Sequence, residues 1–230
     1  MLQATQIPVQ RDPAVSPALM RDDVLAHIRA DILACVLTPG AKIHEQVLAE
    51  QYGVSKSPVR DALMRLAQQG LVEILPRKGY RVVPVSVADA REMYDMRLLL
   101  ERECVLRAVE SAHDATLTGL DQFREFDARR GLPAWIQYNR EFHLAVANAC
   151  GNRRLARATA DVVEHFDRLT YLGVAPLRDH ALSEFVAEHA RIINALQRRD
   201  KRDAQALMRE HVDSSRKRML EALARLPIVP

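Results

Sequence analysis

Three histidines and one asparagine have the residue types and the spacing that a metal site needs. Asn139 and His143 lie four positions apart, which places both side chains on one face of a helix. His189 and His211 are about equally far from a turn near Asp200, so two antiparallel helices would bring their imidazoles level. Three neutral imidazoles and an amide oxygen suit a divalent transition metal such as zinc, nickel or manganese, with coordination positions left open. Lone histidines more often serve packing or hydrogen bonding, and spacing alone leaves that alternative open.

Six helices are predicted to position these side chains. Strand-like runs disappear after residue 86, and breaks near 131, 151 and 175 divide the rest of the chain. The predicted helices cover residues 87–111, 116–129, 133–150, 152–172, 179–199 and 201–225. Ser86, with Asp89 three residues on, can cap the first helix. The pattern predicts an all-α antiparallel helical bundle over residues 87–226.

A segment in the first third of the chain has the pattern of a helix-turn-helix. Val47, Leu48 and Tyr52 keep helical spacing on one face, and Gly53 gives the backbone freedom for a tight turn. Ser57 and Pro58 are typical of an N-cap followed by proline at the first helical position. A second short helix is therefore predicted to begin there.

This second helix has a buried face and a cationic face. The apolar positions that keep the i, i+3, i+4, i+7 spacing are Val59, Ala62, Leu63 and Leu66. Lys56, Arg60 and Arg65 are predicted to remain toward solvent. The first two lie near the helix N-terminus, which is the part that enters the major groove in such folds.

A hairpin with a basic tip follows the second helix. The strand-like runs are Leu71–Leu75 and Tyr80–Val83. The tip between them can lay Arg77, Lys78 and the backbone of Gly79 along a phosphate or a minor groove. The pattern is that of the wing in a winged helix-turn-helix.

We predict a DNA-binding surface from these exposed positions. Its members are Ser55, Lys56, Ser57, Arg60, Arg65, Arg77, Lys78 and Gly79. The alternative is a small packed module whose cations are merely solvated. Charge does not decide between them, because residues 21–81 hold nine Lys/Arg against seven Asp/Glu. The cations matter by their positions on the helix and the hairpin.

The first third of the chain resembles the DNA-binding domain of GntR-family transcription regulators. The resemblance rests on Pro39-Gly40, Leu48-Ala49, Val54-Ser55, Pro58-Val59-Arg60, Ala62-Leu63, Leu66, Gly70-Leu71 and Gly79. Lys56 stands where that family usually has arginine. A lysine lacks the two-pronged guanine contact of an arginine, so Arg60 is favoured as the residue that reads a base.

The second half of the chain is similar to the effector-binding domain of the FadR-type regulators, the FCD class. The motifs are Asp95 to Glu101, Asn139 to His143, Glu188 to Leu196, and Asp200 with Ala204, Met208 and His211. In that class an acidic residue and three histidines commonly bind a metal. The resemblance implies the ligands Asn139, His143, His189 and His211, with Asn139 where aspartate is more usual.

The same resemblance implies that Arg97 faces the metal cavity. One interpretation is that Arg97 clamps a ligand carboxylate by a two-pronged hydrogen bond while the metal takes its other oxygens. The other is a pair with Glu101, four residues on, at a solvated helix face. We favour the clamp, which points to a small organic acid as effector.

Composition sets outer bounds on class and compartment. The 230 residues are 48% hydrophobic and 27% charged, as expected of a soluble globular protein. Neither a signal peptide nor an apolar run of about 18 residues is present, which predicts a cytoplasmic protein without membrane partners. Cys35, Cys104 and Cys150 have no metal or redox spacing and are expected to be reduced thiols. The expected division is a flexible arm (1–20), a winged helix-turn-helix domain (21–83), a linker (84–86) and the helical domain.

These features predict a ligand-responsive, DNA-binding transcriptional regulator and not an enzyme. Repression that the ligand relieves is the favoured direction of regulation. A homodimer would present two recognition helices to a palindromic operator in double-stranded DNA. One alternative is a regulator that senses the metal itself. Another is a metal-dependent hydrolase, disfavoured because no glutamate pairs with the histidines in a metalloprotease spacing.

Overall fold

The computed structural model describes residues 21–174 and 179–223. Within these ranges the chain forms two compact units, one of residues 21–29 and 42–81, the other of residues 30–41 and 82 onward. The predicted flexible arm, 1–20, lies outside the described residues, as do the last residues of the final predicted helix. The predicted fold class is confirmed: a winged helix-turn-helix precedes an all-α bundle.

Three helices and three short strands occupy residues 21–82. They are α1 (Arg21–Leu33), β1 (Lys42–Ile43), α2 (Glu45–Tyr52), α3 (Lys56–Gln68), β2 (Val72–Leu75) and β3 (Gly79–Val82). The strand order is β1-β3-β2, and β1 pairs antiparallel with β3, with Ile43 opposite Tyr80. Strand β1 was not predicted, because two residues are too few to show an alternating pattern.

Helix α3 buries Val59, Ala62, Leu63 and Leu66, as predicted. Its start was wrong by two residues: the N-cap is Ser55, and the helix begins at Lys56. Pro58 then lies within the first turn, where a backbone N–H would have no acceptor within the helix, so the proline loses no helical hydrogen bond. Gly70 adopts a left-handed conformation beyond the helix, and the Leu71 N–H donates to the Leu66 carbonyl, which satisfies the helix end.

Helix α2 buries Leu48, as predicted, but differs from the prediction at Val47. Its buried residues are Leu48 and Ala49, whereas the Val47 side chain is exposed. Gly53 ends the helix in a left-handed conformation, as the tight turn requires. The prediction placed Val47 on the buried face because eight residues are too short for periodicity to fix the orientation of the face.

From residue 87 onward, the described part of the second unit contains helices and turns but no strand. Its helices are α4 (Val87–Ser111), α5 (Asp114–Thr118), α6 (Gly131–Ala149), α7 (Arg153–His165), α8 (Asp167–Val174), α9 (Asp179–Gln197) and α10 (Lys201–Leu223). The Ser86 hydroxyl accepts from the Asp89 N–H, so the predicted cap of α4 is confirmed. No helix among the described residues is long and apolar enough to cross a membrane.

Two of the predicted helices were wrong. The segment predicted as 116–129 is α5 followed by two 3₁₀ turns, Gly119–Phe123 and Ala128–Arg130, because glycine and a local Asp127 side-chain bond compete with a continuous helix. The segment predicted as 152–172 breaks at Phe166, which is buried and packs edge-on against Tyr94. The break therefore directs an aromatic ring into the bundle.

The long helix α4 runs through the bundle and packs against α6, α7 and α10. Trp135, Tyr94 and Phe142 are the largest fully buried side chains of the described residues. Burial of each stabilises the fold by roughly 1.5–3 kcal/mol. Because α4 is central, the polar side chains on its inner face enter the core together with these aromatic rings.

Candidate functional site

Three helices of the bundle bring three imidazoles together. His143 comes from α6, His189 from α9 and His211 from α10, and each is at most 2% exposed. Their potential ligand nitrogens lie within 4.8 Å of one another. Asp200 caps the start of α10 after the tight turn from α9, and the antiparallel pair brings the rings of His189 and His211 to a centroid distance of 4.9 Å.

Each imidazole has one nitrogen held by a neighbouring side chain. The Nδ1 partners are Glu101 Oε2 at 2.6 Å from His143, Tyr138 Oη at 3.2 Å from His189, and Glu188 Oε2 at 2.6 Å from His211. Such partners fix ring orientation and tautomer in metal sites. The opposite nitrogens converge: His143 Nε2 lies 3.4 Å from His211 Nε2, and the buried His189 Nε2 has no hydrogen-bond partner among the described residues.

This donor set fits a divalent metal ion. Burial and the nearby Arg97 charge lower the pKa of His143 to about 4, although Glu101 opposes that shift. Burial and the neighbouring imidazoles hold the pKa of His189 well below its usual 6.5. Both rings are therefore neutral at pH 7, which is the form that binds a metal. A metal ion would also supply the partner that His189 Nε2 lacks.

Arg97 forms a buried ion pair beside the histidines. The Arg97 Nε donates to Glu101 Oε1, and both side chains are 2% exposed. The guanidinium also lies 2.9 Å from His143 Nε2 and stacks 4.4 Å from the centroid of the Phe166 ring. The pair with Glu101 exists, but it does not lie on a solvated face. Burial opposes ionisation of Glu101, yet the Arg97 charge and the hydrogen bond with His143 hold its pKa well below its usual value.

A narrow cavity of about 20 Å³ opens beside this cluster. Arg97, Asn139 and His211 line it, so three of the five residues predicted for metal and effector binding share one wall. Asn139 is half-buried there. His143 and His189 complete the imidazole cluster. The role of Asn139 as a fourth ligand stays a prediction.

The DNA-binding surface predicted from the sequence assembles around one groove. Lys56 at the start of α3 and the hairpin tip of Arg77, Lys78 and Gly79 line it together with residues 44–46. Gly79 has a φ of +86°, and a Cβ there would meet the Ile43 carbonyl oxygen at 3.0 Å. Glycine therefore allows the hairpin tip to approach β1 closely.

Two predicted DNA-binding arginines have other surroundings. Arg60 donates two hydrogen bonds to the Glu45 carboxylate, at 2.9 and 2.8 Å, while it remains largely exposed. Arg65 lies in the last turn of α3 and lines a different depression, with Leu25 and Asp61. Ser55 and Ser57 are exposed at the start of the helix. The structure thus gathers the predicted cations except Arg65 near the N-terminal end of α3.

Several residues of both sites were not predicted from the sequence. Glu188 directly precedes a predicted ligand, which is a signal that sequence reasoning could have used. Tyr138 carries no such signal, because only the packing of α6 against α9 brings its hydroxyl to His189. The pairing of Glu45 with Arg60 joins residues 15 positions apart and depends on the turn between α2 and α3.

The three cysteines are free and buried, as expected. Burial raises the pKa of Cys35 to about 11 and that of Cys104 to about 12. Cys104 packs with Cys150 and Ala147 in a small apolar cluster. Thiols in such surroundings are poor nucleophiles, since the thiolate is the reactive form.

Comparison with protein families identifies two domains in this chain. The family of bacterial regulatory proteins, gntR family, matches residues 20–82, and the FCD domain matches residues 92–214. The chain belongs to the GntR family. This GntR regulator therefore combines a DNA-binding helix-turn-helix with an FCD effector-binding domain.

The relatives of this GntR regulator are helix-turn-helix regulators, and the similarity covers most of their length. An HTH-type transcriptional regulator in an unstable DNA locus of Streptomyces ambofaciens is 32% identical over 204 residues, 84% of this chain and 81% of the relative. The repressor RspR of Escherichia coli K12 is 26% identical over 191 residues, which are 80% of this chain and 82% of RspR. The solved structure of E. coli McbR/YncC has the same fold, with a TM-score of 0.72 at 21% identity, over 87% of this chain and 97% of that one.

Proposed function

We propose that this GntR regulator is a repressor that releases its operator when a small organic acid binds beside a metal in the FCD domain. The observation that carries the proposal is the convergence of three buried imidazoles beside the buried Arg97 guanidinium, at a cavity that Arg97 and His211 line. A cation and a guanidinium that share a closed cavity form a site for a carboxylate.

The metal would be held by His143, His189 and His211, with Asn139 as the fourth ligand. Zinc fits three imidazoles and an oxygen best, and nickel or manganese are the other candidates. The ion supplies a Lewis acid with positions open to carboxylate oxygens. Asparagine brings no negative charge, whereas Glu101 and Glu188 each place a carboxylate on the far nitrogen of a ligand histidine. These two carboxylates supply charge that the fourth ligand lacks.

Arg97 is proposed to orient the effector. Its guanidinium already lies flat against Phe166 and is fixed by Glu101, so little rotamer freedom is lost when a carboxylate binds. We assign the site a sensing and not a catalytic role, because the relatives are transcriptional regulators.

The DNA-binding unit is proposed to read double-stranded operator DNA with α3 and the hairpin. Arg60 would read a base, while Lys56, Arg77 and Lys78 contact phosphates, supported by Ser55, Ser57 and the Gly79 backbone. Such a protein acts where the chromosome is, which for a bacterial regulator is the cytoplasm. The role of Arg65 is the least supported, since it lines a separate depression.

A homodimer is part of the proposal. Met96 and Leu99 lie on α4 and are 45% and 69% exposed, so α4 presents an apolar face that a second copy would cover. Two recognition helices then match a palindromic operator. The relative RspR is a repressor by name, which supports the proposed direction of regulation. Sedimentation velocity of the wild type and of Leu99→Glu tests the dimer: the wild type should sediment as a dimer and the variant as a monomer.

Thermal unfolding tests the proposed effector. The protein is heated with a panel of small mono- and dicarboxylic acids, with zinc present and again after chelation, because a ligand of the folded state raises the melting temperature. We expect one class of acid to raise it only when zinc is present, and to weaken operator binding in the same buffer. A melting temperature that responds to no acid would contradict an acid sensor.

A second candidate function is sensing of the metal itself. The cavity of about 20 Å³ favours it, since that volume holds little more than one or two waters. Titration of operator binding with zinc alone separates the two functions. A metal sensor would release or bind the operator without any acid, whereas an acid sensor would keep the same operator affinity until the acid is added.

A further inference from the structure

The cavity has a second end, away from the imidazoles. Trp135, Phe185 and Arg218 line that end, and Arg97, Asn139 and His211 line the metal end. The Arg218 guanidinium stacks 4.0 Å from the centroid of the Phe185 ring, and the rings of Trp135 and Phe185 are 5.6 Å apart. The three side chains therefore form one cluster.

Helical register places this cluster about two turns from the metal end. On α6, Trp135, Asn139 and His143 follow at four-residue intervals along one face. On α10, Arg218 follows His211 by seven residues, again on the same face. The eight residues from Trp135 to His143 and the seven from His211 to Arg218 each correspond to roughly 10–12 Å along the helix axis.

The second end holds two hydrogen-bond donors that lack acceptors. Trp135 is 1% exposed, and its Nε1–H has no hydrogen-bond partner among the described residues. The buried Arg218 Nε is likewise without one. Buried polar atoms nearly always have partners, so two orphaned donors that line one cavity indicate a missing acceptor.

The remaining bonds of Arg218 are long. Its Nη atoms lie 3.2 to 3.3 Å from the Glu188 carboxylate, whereas charge-assisted pairs of this kind usually measure about 2.7–2.9 Å. Glu188 makes its short contact, 2.6 Å, to His211 Nδ1. Glu188 is thus shared between the two ends, and Arg218 retains capacity for a second anionic partner.

We propose that Trp135 and Arg218 form a second carboxylate subsite and that the effector is a short dicarboxylate. This inference rests on the proposed function, in which the first carboxylate binds at the metal and Arg97. The second carboxylate accepts from Trp135 Nε1 and Arg218 Nε. Its carbon chain lies against Phe166 and Phe185 after the side chains around the cavity of about 20 Å³ move apart, because that volume alone does not hold a diacid. A monocarboxylate of equal length leaves both donors unpaired and places an apolar methyl group against them, so it binds more weakly.

Calorimetric titration of the zinc-loaded, full-length protein tests the subsite. The probes are succinate and glutarate, each compared with the monocarboxylate of equal carbon number, butyrate and valerate. The variants are Trp135→Phe, which keeps an aromatic ring but removes the N–H, and Arg218→Gln. Arg216→Gln, on the same helix and paired with Asp95 outside the cavity lining, is the matched control.

We expect the wild type to bind at least one of the diacids about tenfold or more tightly than its monocarboxylate partner. Trp135→Phe and Arg218→Gln should each remove most of that preference and leave monocarboxylate binding unchanged, while Arg216→Gln keeps it. If a variant fails to fold, the comparison of diacids with monocarboxylates on the wild type still tests whether the second subsite exists.

Other outcomes overturn the inference in distinguishable ways. The wild type could bind diacids and monoacids equally well, or the two variants could lose affinity for both kinds of acid equally. Either result would contradict the second subsite but not the proposed acid sensor. If no acid of either kind binds the zinc-loaded protein, the proposed function itself fails, and the dicarboxylate inference fails with it.

Discussion

The two functional regions of this protein use charge in opposite ways. In the DNA-binding unit the cations are exposed, and Arg60 shares its bidentate pair with Glu45 at the surface. In the FCD domain Arg97 and Glu101 are each 2% exposed and lie among buried imidazoles. One region presents charge to a large external polyanion, whereas the other encloses charge around a small ligand.

This difference decides what each charge contributes. An exposed ion pair is worth about 0–1 kcal/mol, because solvent screens it. Removal of one partner from a buried pair costs about 3–5 kcal/mol, because the other charge is left without compensation in a medium of low dielectric. Substitutions in the first region should therefore change binding but not stability, and substitutions in the second should change both.

The largest effect should follow from Glu101→Gln. The change leaves Arg97 buried without its anion and removes the carboxylate that holds His143 Nδ1. We expect a loss of about 3–5 kcal/mol in the free energy of unfolding and of about 10–100-fold in zinc affinity. Denaturant titration and zinc calorimetry measure the two losses. Glu103→Gln, in an exposed pair on the same helix, should change stability by less than about 0.5 kcal/mol.

Metal-dependent stabilisation comes next in size. Zinc at one hundred times its dissociation constant should stabilise the folded protein by about 2.7 kcal/mol, and a chelator should reverse the gain. His189→Ala should abolish this response, because one of the three converging nitrogens is lost. Differential scanning calorimetry measures it, with His113→Ala, outside the imidazole cluster, as the control. A variant His189→Ala with the full zinc response would show that the metal binds elsewhere.

Arg60→Ala tests the exposed region. We expect operator binding to weaken about tenfold or more with relaxed sequence preference, while the stability of the fold stays unchanged. Fluorescence anisotropy with an operator selected from random duplexes provides the measurement. Arg65→Ala should have a smaller effect, since that side chain lines another depression. Equal losses in both variants would place the reading surface along the whole of α3.

Lys78→Ala should alter affinity without altering specificity. Lys78 is exposed at the hairpin tip, where it is proposed to contact a phosphate. Its loss should reduce the salt dependence of DNA binding by about one unit of slope in a plot of log K against log salt concentration. The measurement uses a random-sequence duplex, and an unchanged slope would remove Lys78 from the interface.

The smallest expected effect concerns Glu45 and pH. The hydrogen bond from Arg60 holds the pKa of Glu45 below its usual 4.5, so the pair contributes stability above that pH and loses it as the pH falls through the folded-state pKa. Glu45→Gln should therefore cost at most about 1 kcal/mol at pH 7 and nothing at the acid end. Urea unfolding of both proteins between pH 3 and 7 gives the difference. A difference that grows toward low pH would contradict the assignment.

Much of the fold was predictable because its signals are local. The helical spacing of Val59, Ala62, Leu63 and Leu66 identified the inner face of α3, and Ser86 with Asp89 identified the start of α4. The signals failed where elements are short. The two-residue strand β1, the orientation of Val47 on α2 and the break at Phe166 each depend on packing partners that lie far away in the sequence.

The sequence by itself determined the residue types of both sites and their order along the helices. Four-residue spacing on α6 and equal distances from a turn made His143, His189 and His211 candidates for one cluster, and the resemblance to the FCD class favoured that prediction. Only the tertiary structure decided which groups hold their far nitrogens, that the pair of Arg97 with Glu101 is buried, and that Trp135 and Arg218 lack partners. Helical periodicity fixes which side chains share a face. Burial, tautomer and unpaired donors arise only when faces from distant segments pack against one another.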